Sequence, residues 1–359
     1  MLVIATIGPS TKEKQVLRDV IDSGANMLRF NFSHGQLDEF EESIITARSI
    51  KKDIGIMQDL SGSKIRVSDK LPYIIKLYSG EEVFFCGEDS YKEVKYNSAY
   101  GSKKVVPLNI SKEILNRNKI KCISMKDNTM FFEILDKGEE YIKVKVRRGG
   151  IVRAGKGCNI KGLNRNEIGI SKKDEEDIRW GIEHNVDVIC QSFVERVNDI
   201  DLIKNFINKE SSDFSPKIWA KVETPMGVKN IERIAKAVDG VVIGRGDLIP
   251  EGCIEDTPIY EENVIKVCRK YSKDIIIATH ILNSMKNGRR ADLPEVESIY
   301  NFINLGVSGF LLAGETSVGK APIKTVDFLN KIINKYKRIW LLWVKSQIKN
   351  IWFHCYGHH

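Results

Sequence analysis

A chain of 359 residues, 42% hydrophobic and 29% charged, has enough apolar material to fill one large or two ordinary cores, which excludes a disordered or fibrous protein. Its net charge of +8 comes from Lys and Arg scattered among acids, without the clustered basic stripe of a nucleic-acid surface. Seven widely spaced cysteines (86, 122, 158, 190, 253, 268 and 355) with no CxxC pair read as reduced core thiols, and neither a signal region at "MLVIATIGPS" nor an uncharged membrane-length stretch is present, so a soluble, cytoplasmic protein is expected.

In chain order, eight short β-type apolar runs stand out: "LVIAT" (2–6), "MLRFN" (27–31), "IGIMQD" (54–59), "VDVICQ" (186–191), "IWAKVE" (218–223), "GVVIG" (240–244), "DIIIAT" (274–279) and "GFLLAGE" (309–315). Each but the third is followed promptly by a helical pattern, and eight βα units predict an α/β protein built as a (β/α)8 TIM barrel. After the third run, residues 67–157 change texture to short β runs such as "EEVFF" and "EEYIKVKV" with Gly and Asn punctuation, the signature of a small all-β insertion. The barrel is therefore expected over 1–66 and 158–337. Ser171, three residues before Asp174 in "ISKKDEEDIRWGIEHN", predicts a helix cap. The tail 338–359, rich in Trp, fits no βα unit; packing against the barrel is expected for it, and its final His-rich tract reads as a flexible terminus.

In such a barrel the functional residues close the C-terminal ends of the strands. Those positions hold Arg29 and Asn31, Asp59, Lys221 and Glu223, Asp247 in "GRGD", Thr279 and Glu315. Residues two apart on a strand share a face, so Lys221 and Glu223 are expected to point together at the barrel mouth, each offsetting the other's burial. An ordinary ion pair stabilising the barrel top is the alternative. Glu223 and Asp247 on adjacent strands suit a hard divalent cation, and the Gly246-Asp247 turn offers backbone N–H groups to an anion. With Lys221 beside them, the set suits phosphoryl transfer or enolate chemistry. Two signals are discounted: "GETSVGK" (314–320) has phosphate-loop spacing but Ala321 where Ser or Thr is needed, and Ser33-His34 lacks an orienting third residue for a hydrolase. The latter loop is expected to bind ions or phosphate.

"KVETPMGVKNI" and "VDGVVIGRGDL" resemble metal-binding segments of two families, the class II aldolases related to citrate lyase and the pyruvate kinases; a lysine before the glutamate favours the kinases. "ATIGPS", "MLRFNFSHG", "GKGCNIKG", "ISKKDEEDIRWGIEHNVDVICQSFV", "ATHILNSM" and "LLAGETSVGKAPIKTV" also resemble pyruvate kinase motifs in order, over about residues 1–337. The resemblance implies Mg²⁺- or Mn²⁺-dependent phosphoryl transfer from phosphoenolpyruvate to ADP, with the insertion as a mobile lid. By position, Lys221 would stabilise the enolate and the phosphoryl group, Glu223 and Asp247 bind Mg²⁺, and Gly246, Asp247 and Thr279 hold the substrate carboxylate. Arg29 would meet the phosphoryl group; Arg66 and Lys156 would reach nucleotide phosphates, with Asn31 and His34 nearby. Asn31, Ser33, Asp59 and the Leu60 carbonyl correspond to a monovalent-cation site, and Glu315 lies where the enolate is protonated.

The departures carry expectations too. "DLSGSKIR" stands for the family's "DTKGPEIR", placing Leu60 and Lys64 by the potassium site; the Lys64 ammonium would replace the ion, so activity without K⁺ is expected. His280, Ile249 and "NGRRADLPEV" also differ, the last in a loop that joins barrels in the family's oligomers, which bears on a homo-oligomer through the barrel. Where the family continues into a C-terminal domain for allosteric sugar phosphates, this sequence has its Trp-rich tail, and no such regulation is expected. The alternatives are a divergent enzyme, aldolase-like or a phosphotransferase, acting on another enolpyruvate or 2-oxo acid, and a catalytically weak paralogue with a binding role.

Overall fold

The computed structural model describes residues 1–98, 103–126, 128–165 and 168–337. The tail 338–359, and with it Cys355, lies outside the described residues.

Eight parallel strands close a barrel. In chain order they are Leu2–Thr6, Met27–Asn31, Gly55–Asp59, Val188–Gln191, Lys217–Val222, Gly240–Gly244, Asp274–Ala278 and Gly309–Leu312, each bonded to its sequence neighbours and the last to the first. All eight expected runs are strands, trimmed by up to three residues at their ends. Glu223, Thr279 and Glu315 fall just beyond their strands, where the backbone turns toward the helices.

Strand alternation sorts the side chains. One set faces the helices: Ala5, Leu28, Ile56, Ile189, Ala220, Val241, Ile277 and Phe310 belong to the large core between barrel and helical shell. The other set fills the barrel axis with Ile4, Met27, Met57, Val188, Trp219, Val242, Ile276 and Leu311. Trp219 is the bulkiest plug, and Gly240 on the next strand makes room for it, since a Cβ there would lie 2.7 Å from the indole nitrogen. Two residues further along each strand, the inward positions are Thr6, Arg29, Asp59, Cys190, Lys221, Gly244, Ala278 and Ala313. The same period that packs the plug thus lays polar and very small residues directly above it.

The segment between the third and fourth barrel strands forms a seven-stranded sheet over a separate core that includes Val83, Phe85, Ile123, Phe132, Ile142 and Val144, with a two-stranded ribbon beside it. Ile65–Arg66 pairs antiparallel with Gly157–Lys161 where the segment leaves and rejoins the barrel. Two six-residue helices, Tyr91–Tyr96 and Lys112–Arg117, interrupt the β texture.

Ser171 caps the helix Lys172–Glu183, its hydroxyl accepting from the Asp174 N–H at 3.0 Å. The six described cysteines are free thiols; four are buried, and burial first of all pushes Cys86 and Cys268 up to about 12, leaving them protonated. No described helix is long and apolar enough to cross a membrane.

Candidate active site

A cavity at the C-terminal mouth of the barrel is lined by Arg29, Asn31, Ser33, His34, Asp59, Lys64, Arg66, Lys221, Glu223, Gly246, Asp247 and Thr279, with Ser61, Ser192 and Phe193. Twelve expected positions thus converge. Lys156, Glu315 and the Leu60 side chain do not line it: the Lys156 ammonium contacts the Ile151 carbonyl, and Glu315 is buried with a carboxylate oxygen accepting from the Ala313 N–H at 2.8 Å.

Asp59 is the electrostatic centre of the floor. Fully buried, it receives Arg29 Nε at 2.6 Å and Lys221 Nζ at 2.9 Å on each oxygen, and the Ser192 hydroxyl at 3.2 Å. Burial alone would push its carboxyl up, but Lys221 and Arg29 outweigh burial and hold it below the usual carboxylate range. Burial likewise works against the Lys221 ammonium, yet Asp59 and then Glu223 raise its pKa above the ordinary lysine value. The expected Lys221–Glu223 pair is present, at 3.8 Å, and Asp59, at 2.9 Å, is the nearer partner of Lys221. Asp59 sits two residues beyond Met57 on the inner face of its strand, which turns it into the barrel toward Lys221.

Glu223 is held by the Phe193 N–H, which donates to Oε2 at 3.0 Å. Burial pushes its carboxyl up to about 7; Lys221 opposes the rise and nearby Asp247 adds to it. The backbone beside it is shaped by need: a Cβ on Gly244 would lie 2.6 Å from Glu223 Cγ, and Phe193 itself has a positive φ of 55°.

Asp247 lies in the first turn of the short helix Arg245–Glu251. Burial would raise its pKa, but Lys64 Nζ at 2.9 and 2.8 Å on its two oxygens, with Asn159 Nδ2 at 3.0 Å, reverses that and holds it low. Lys64 thus neutralises Asp247 while lining the same cavity as the expected monovalent-cation ligands Asn31, Ser33 and Asp59. Those ligands bond within the chain: Asp59 as above, the Leu60 carbonyl to the Ser192 hydroxyl at 2.7 Å, Asn31 Oδ1 to the Ser33 N–H at 3.2 Å, and the Ser33 hydroxyl to Ser61 at 3.1 Å.

Thr279 and His280 both occupy left-handed backbone, with φ of 71° and 55°. Arg245 fastens this turn by donating to the Thr279 carbonyl from Nε at 3.0 Å and Nη2 at 2.5 Å and to the His280 carbonyl at 2.8 Å. Gly246 faces Thr279, where a Cβ would come 3.2 Å from its methyl. Burial first, then Arg66, Lys64 and Arg29, lower the His34 pKa and favour the neutral ring.

Ser192, Phe193, Asn159 and Arg245 were not singled out from sequence. Ser192-Phe193 follows the strand ending at Gln191, so its position was available to the same strand-end rule. Asn159 comes from the inserted sheet and crosses to Asp247, a contact 88 positions apart that no local pattern encodes.

Glu223 and Asp247 supply hard carboxylate oxygens, and a carboxyl pushed up to about 7 marks a buried site with a deficit of positive charge. That chemistry fits a divalent cation such as Mg²⁺ or Mn²⁺. Among the described residues no group of three or more His, Cys, Asp or Glu side chains converges on a metal position, so water and substrate would complete the coordination, as Mg²⁺ favours.

The sequence profile of "Pyruvate kinase, barrel domain" matches residues 1–326. The chain is 33% identical to the pyruvate kinase of Thermococcus litoralis over 92% of this chain and 68% of that protein. It is 32% identical to the pyruvate kinase of Staphylococcus epidermidis over 92% and 56%, and 30% identical to that of Thermotoga maritima over 94% and 71%. It therefore spans between 56% and 71% of the length of these relatives. A closed (β/α)8 barrel with this strand-end charge pattern, matched along nine-tenths of its length, places the chain in the pyruvate kinase family.

Proposed function

We propose that this protein is a pyruvate kinase, transferring a phosphoryl group from phosphoenolpyruvate to ADP to give pyruvate and ATP. The observation that carries the reading is that two cations, Arg29 and Lys221, share one buried carboxylate at the floor of the cavity that Glu223 and Asp247 also line. A cavity with fixed positive charge and two carboxylates suits a trianionic substrate held together with a divalent ion.

In this reading Arg29 binds the phosphoryl group, and Lys221, kept charged by Asp59 and Glu223, stabilises the negative charge that develops on the transferring phosphoryl and on the enolate oxygen. Asp59 fixes both cations in place before substrate arrives, so little reorganisation is needed in the transition state. Glu223 and Asp247 hold Mg²⁺ or Mn²⁺, which when bound would neutralise substrate oxyanions and polarise the transferring group. Gly246 and Thr279 receive the substrate carboxylate, the Arg245 clamp keeping that strained turn in place. Arg66, His34 and Asn31 face the nucleotide side, and Lys156, just before the strand Gly157–Lys161 of the inserted sheet, reaches the nucleotide as the sheet closes over the mouth and excludes water. Glu315, behind Ala313, acts in protonating the enolate through the groups in front of it. Residues 67–157 serve as the lid and 1–66 with 158–337 as the catalytic barrel. A K⁺-independent, cytoplasmic enzyme that assembles through its barrel completes the reading.

The test is a coupled assay of the purified chain with phosphoenolpyruvate, ADP and Mg²⁺, beside Lys221→Met. Turnover that the substitution abolishes is the expected result. A folded protein that binds phosphoenolpyruvate without turning it over would overturn the reading in favour of another enolpyruvate or 2-oxo acid.

A further inference from the structure

A second cavity, of about 570 Å³, lies between the strand Gly157–Lys161 of the inserted sheet and the barrel helices; Asn159, which bonds both Glu251 and Asp247, and Arg165, whose guanidinium lies 4.9 Å from the Phe193 ring, link it to the candidate active site. Four cations, Lys121, Lys161, Arg165 and Arg196, and three carboxylates, Glu195, Glu251 and Asp256, line it, and three of the cations have unused capacity. Arg165 is 3% exposed; its terminal nitrogens meet Glu251 at 2.7 Å and Glu195 at 3.4 Å, while its buried Nε–H has no acceptor. The buried Nε–H of Arg196 has none either, and the nearest carboxylate to that guanidinium is Asp199, at 3.9 Å. Lys161 Nζ meets the Gly252 carbonyl at 2.9 Å and Cys253 Sγ at 3.1 Å, with no carboxylate within ion-pair distance among the described residues. Buried donors of this kind are ordinarily satisfied. Two buried, unsatisfied guanidinium N–H groups and an ammonium without a carboxylate, all belonging to side chains that line one cavity, describe a receptor for an oxyanion. Leu163, Pro225, Met226 and Tyr260 line the same space, so the anion carries an apolar body.

We infer that this cavity binds a small organic carboxylate, its head on Lys161, Arg165 and Arg196 and its apolar body against Pro225, Met226 and Tyr260. Its occupancy is felt at Asp247. Glu251 Oε1 accepts from both Arg165 and Asn159, and the same Asn159 amide nitrogen donates to Asp247 Oδ1. A carboxylate that draws Arg165 from Glu251 leaves that buried anion short of positive charge, pulls the Asn159 amide toward it, and leaves Asp247 Oδ1 with Lys64 as its one remaining donor, so that it gives more negative charge to the divalent ion.

The experiment titrates the full chain with benzoate and phenylacetate by calorimetry, and with acetate as a head-only probe. Saturable binding of the two aromatic acids is expected, at least about tenfold tighter than acetate. Lys161→Met and Arg196→Met, both at partly exposed positions, should each weaken it by about tenfold or more, while Lys221→Met leaves it unchanged. No saturable binding, equal binding of acetate, or binding lost in Lys221→Met but kept in Lys161→Met overturns the site. A Mn²⁺ titration followed by electron paramagnetic resonance tests the coupling: benzoate should tighten Mn²⁺ binding about fivefold, and Asn159→Ala should abolish that gain. This second half rests on the divalent site of the phosphotransfer reading. Failure to bind Mn²⁺ at all would count against that site, whereas Mn²⁺ binding indifferent to benzoate would count against the coupling alone.

Discussion

The Lys221 ammonium lies 2.9 Å from each oxygen of Asp59, and Arg29 Nε lies 2.6 Å from one of them, so a single buried carboxylate holds two cations. The arrangement makes the partners unequal. Removing Lys221 leaves Asp59 still paired with Arg29; removing Asp59 leaves two buried cations facing each other. Lys221→Met should therefore abolish turnover while lowering stability by about 2 kcal/mol, and Asp59→Ala should lower it by about 4 kcal/mol, the range for a buried charge stripped of its partner. Urea unfolding of the two variants checks the ranking, which a purely local role for Lys221 would reverse.

Glu223 carries a pH signature. Its carboxyl is pushed up to about 7 in the folded chain against an ordinary value of 4.5, so between those limits the folded state holds a proton that the unfolded state has released. Stability of the metal-free protein should therefore fall as pH rises from about 4.5 to 7 through this group, by at most about 3 kcal/mol. Glu223→Gln keeps the acceptor for the Phe193 N–H and removes the ionisation. In chelating buffer at pH 8 it should be more stable than the parent by about 1–2 kcal/mol while losing divalent-ion binding. Equal unfolding midpoints for the two proteins below the unfolded value of 4.5 and a gap at pH 8 is the expected pattern; a gap independent of pH would refute the assignment.

The barrel was legible because its strands obey two rules at once. Apolar runs such as "GVVIG" and "DIIIAT" are buried on both faces and read as continuous β stretches, and strand ends expose whatever polar residue comes next. That is why Arg29, Asp59, Glu223 and Asp247 could be named from sequence. Their partners could not be, because pairing runs around the barrel circumference. Lys221 finds Asp59 across 162 positions and Lys64 finds Asp247 across 183, distances over which alternation says which way a side chain points but not what it meets. The lid contacts were less legible still. Asn159 and Lys161 share a face of an inserted strand, and nothing local shows that this face rests on the helix carrying Asp247 and on Gly252 just beyond it. The positive φ of Thr279 is invisible in sequence for a further reason: a β-branched residue in that conformation is held there by Arg245, not by its own preference.

Two glycines separate the metal side of the site from the carboxylate side. A Cβ at Gly244 would come 2.6 Å from Glu223 Cγ and force that side chain to move, whereas one at Gly246 would come 3.2 Å from the Thr279 methyl. Gly244→Ala should weaken Mn²⁺ binding by about tenfold or more with a smaller effect on the KM for phosphoenolpyruvate. Gly246→Ala should show the opposite split, raising that KM several-fold with Mn²⁺ affinity nearly unchanged. Kinetics and Mn²⁺ titration on the two variants read both quantities, and identical splits would mean that the two carboxylates do not serve separate ligands.

Lys64 supplies the last prediction. Its ammonium grips both oxygens of Asp247, and with Arg29 and Lys221 already on Asp59 and Arg66 on the wall the cavity has four built-in positive charges close to where a phosphate would sit. A monovalent ion added to this set has little uncompensated negative charge to find, since the ligands expected for it bond to one another and to Ser192. Added K⁺ should therefore change turnover by less than about twofold in an otherwise K⁺-free assay. Lys64→Glu reverses the local balance: it removes the cation from Asp247 and introduces a carboxylate in the same space. That variant should lose most of its turnover in K⁺-free buffer and regain part of it on titration with K⁺, while Lys64→Gln, which removes the charge without inverting it, should fall between the two. Strong K⁺ activation of the parent, or a Lys64→Glu variant indifferent to K⁺, would show that the ammonium on Asp247 is structural and that the monovalent-ion requirement is set elsewhere.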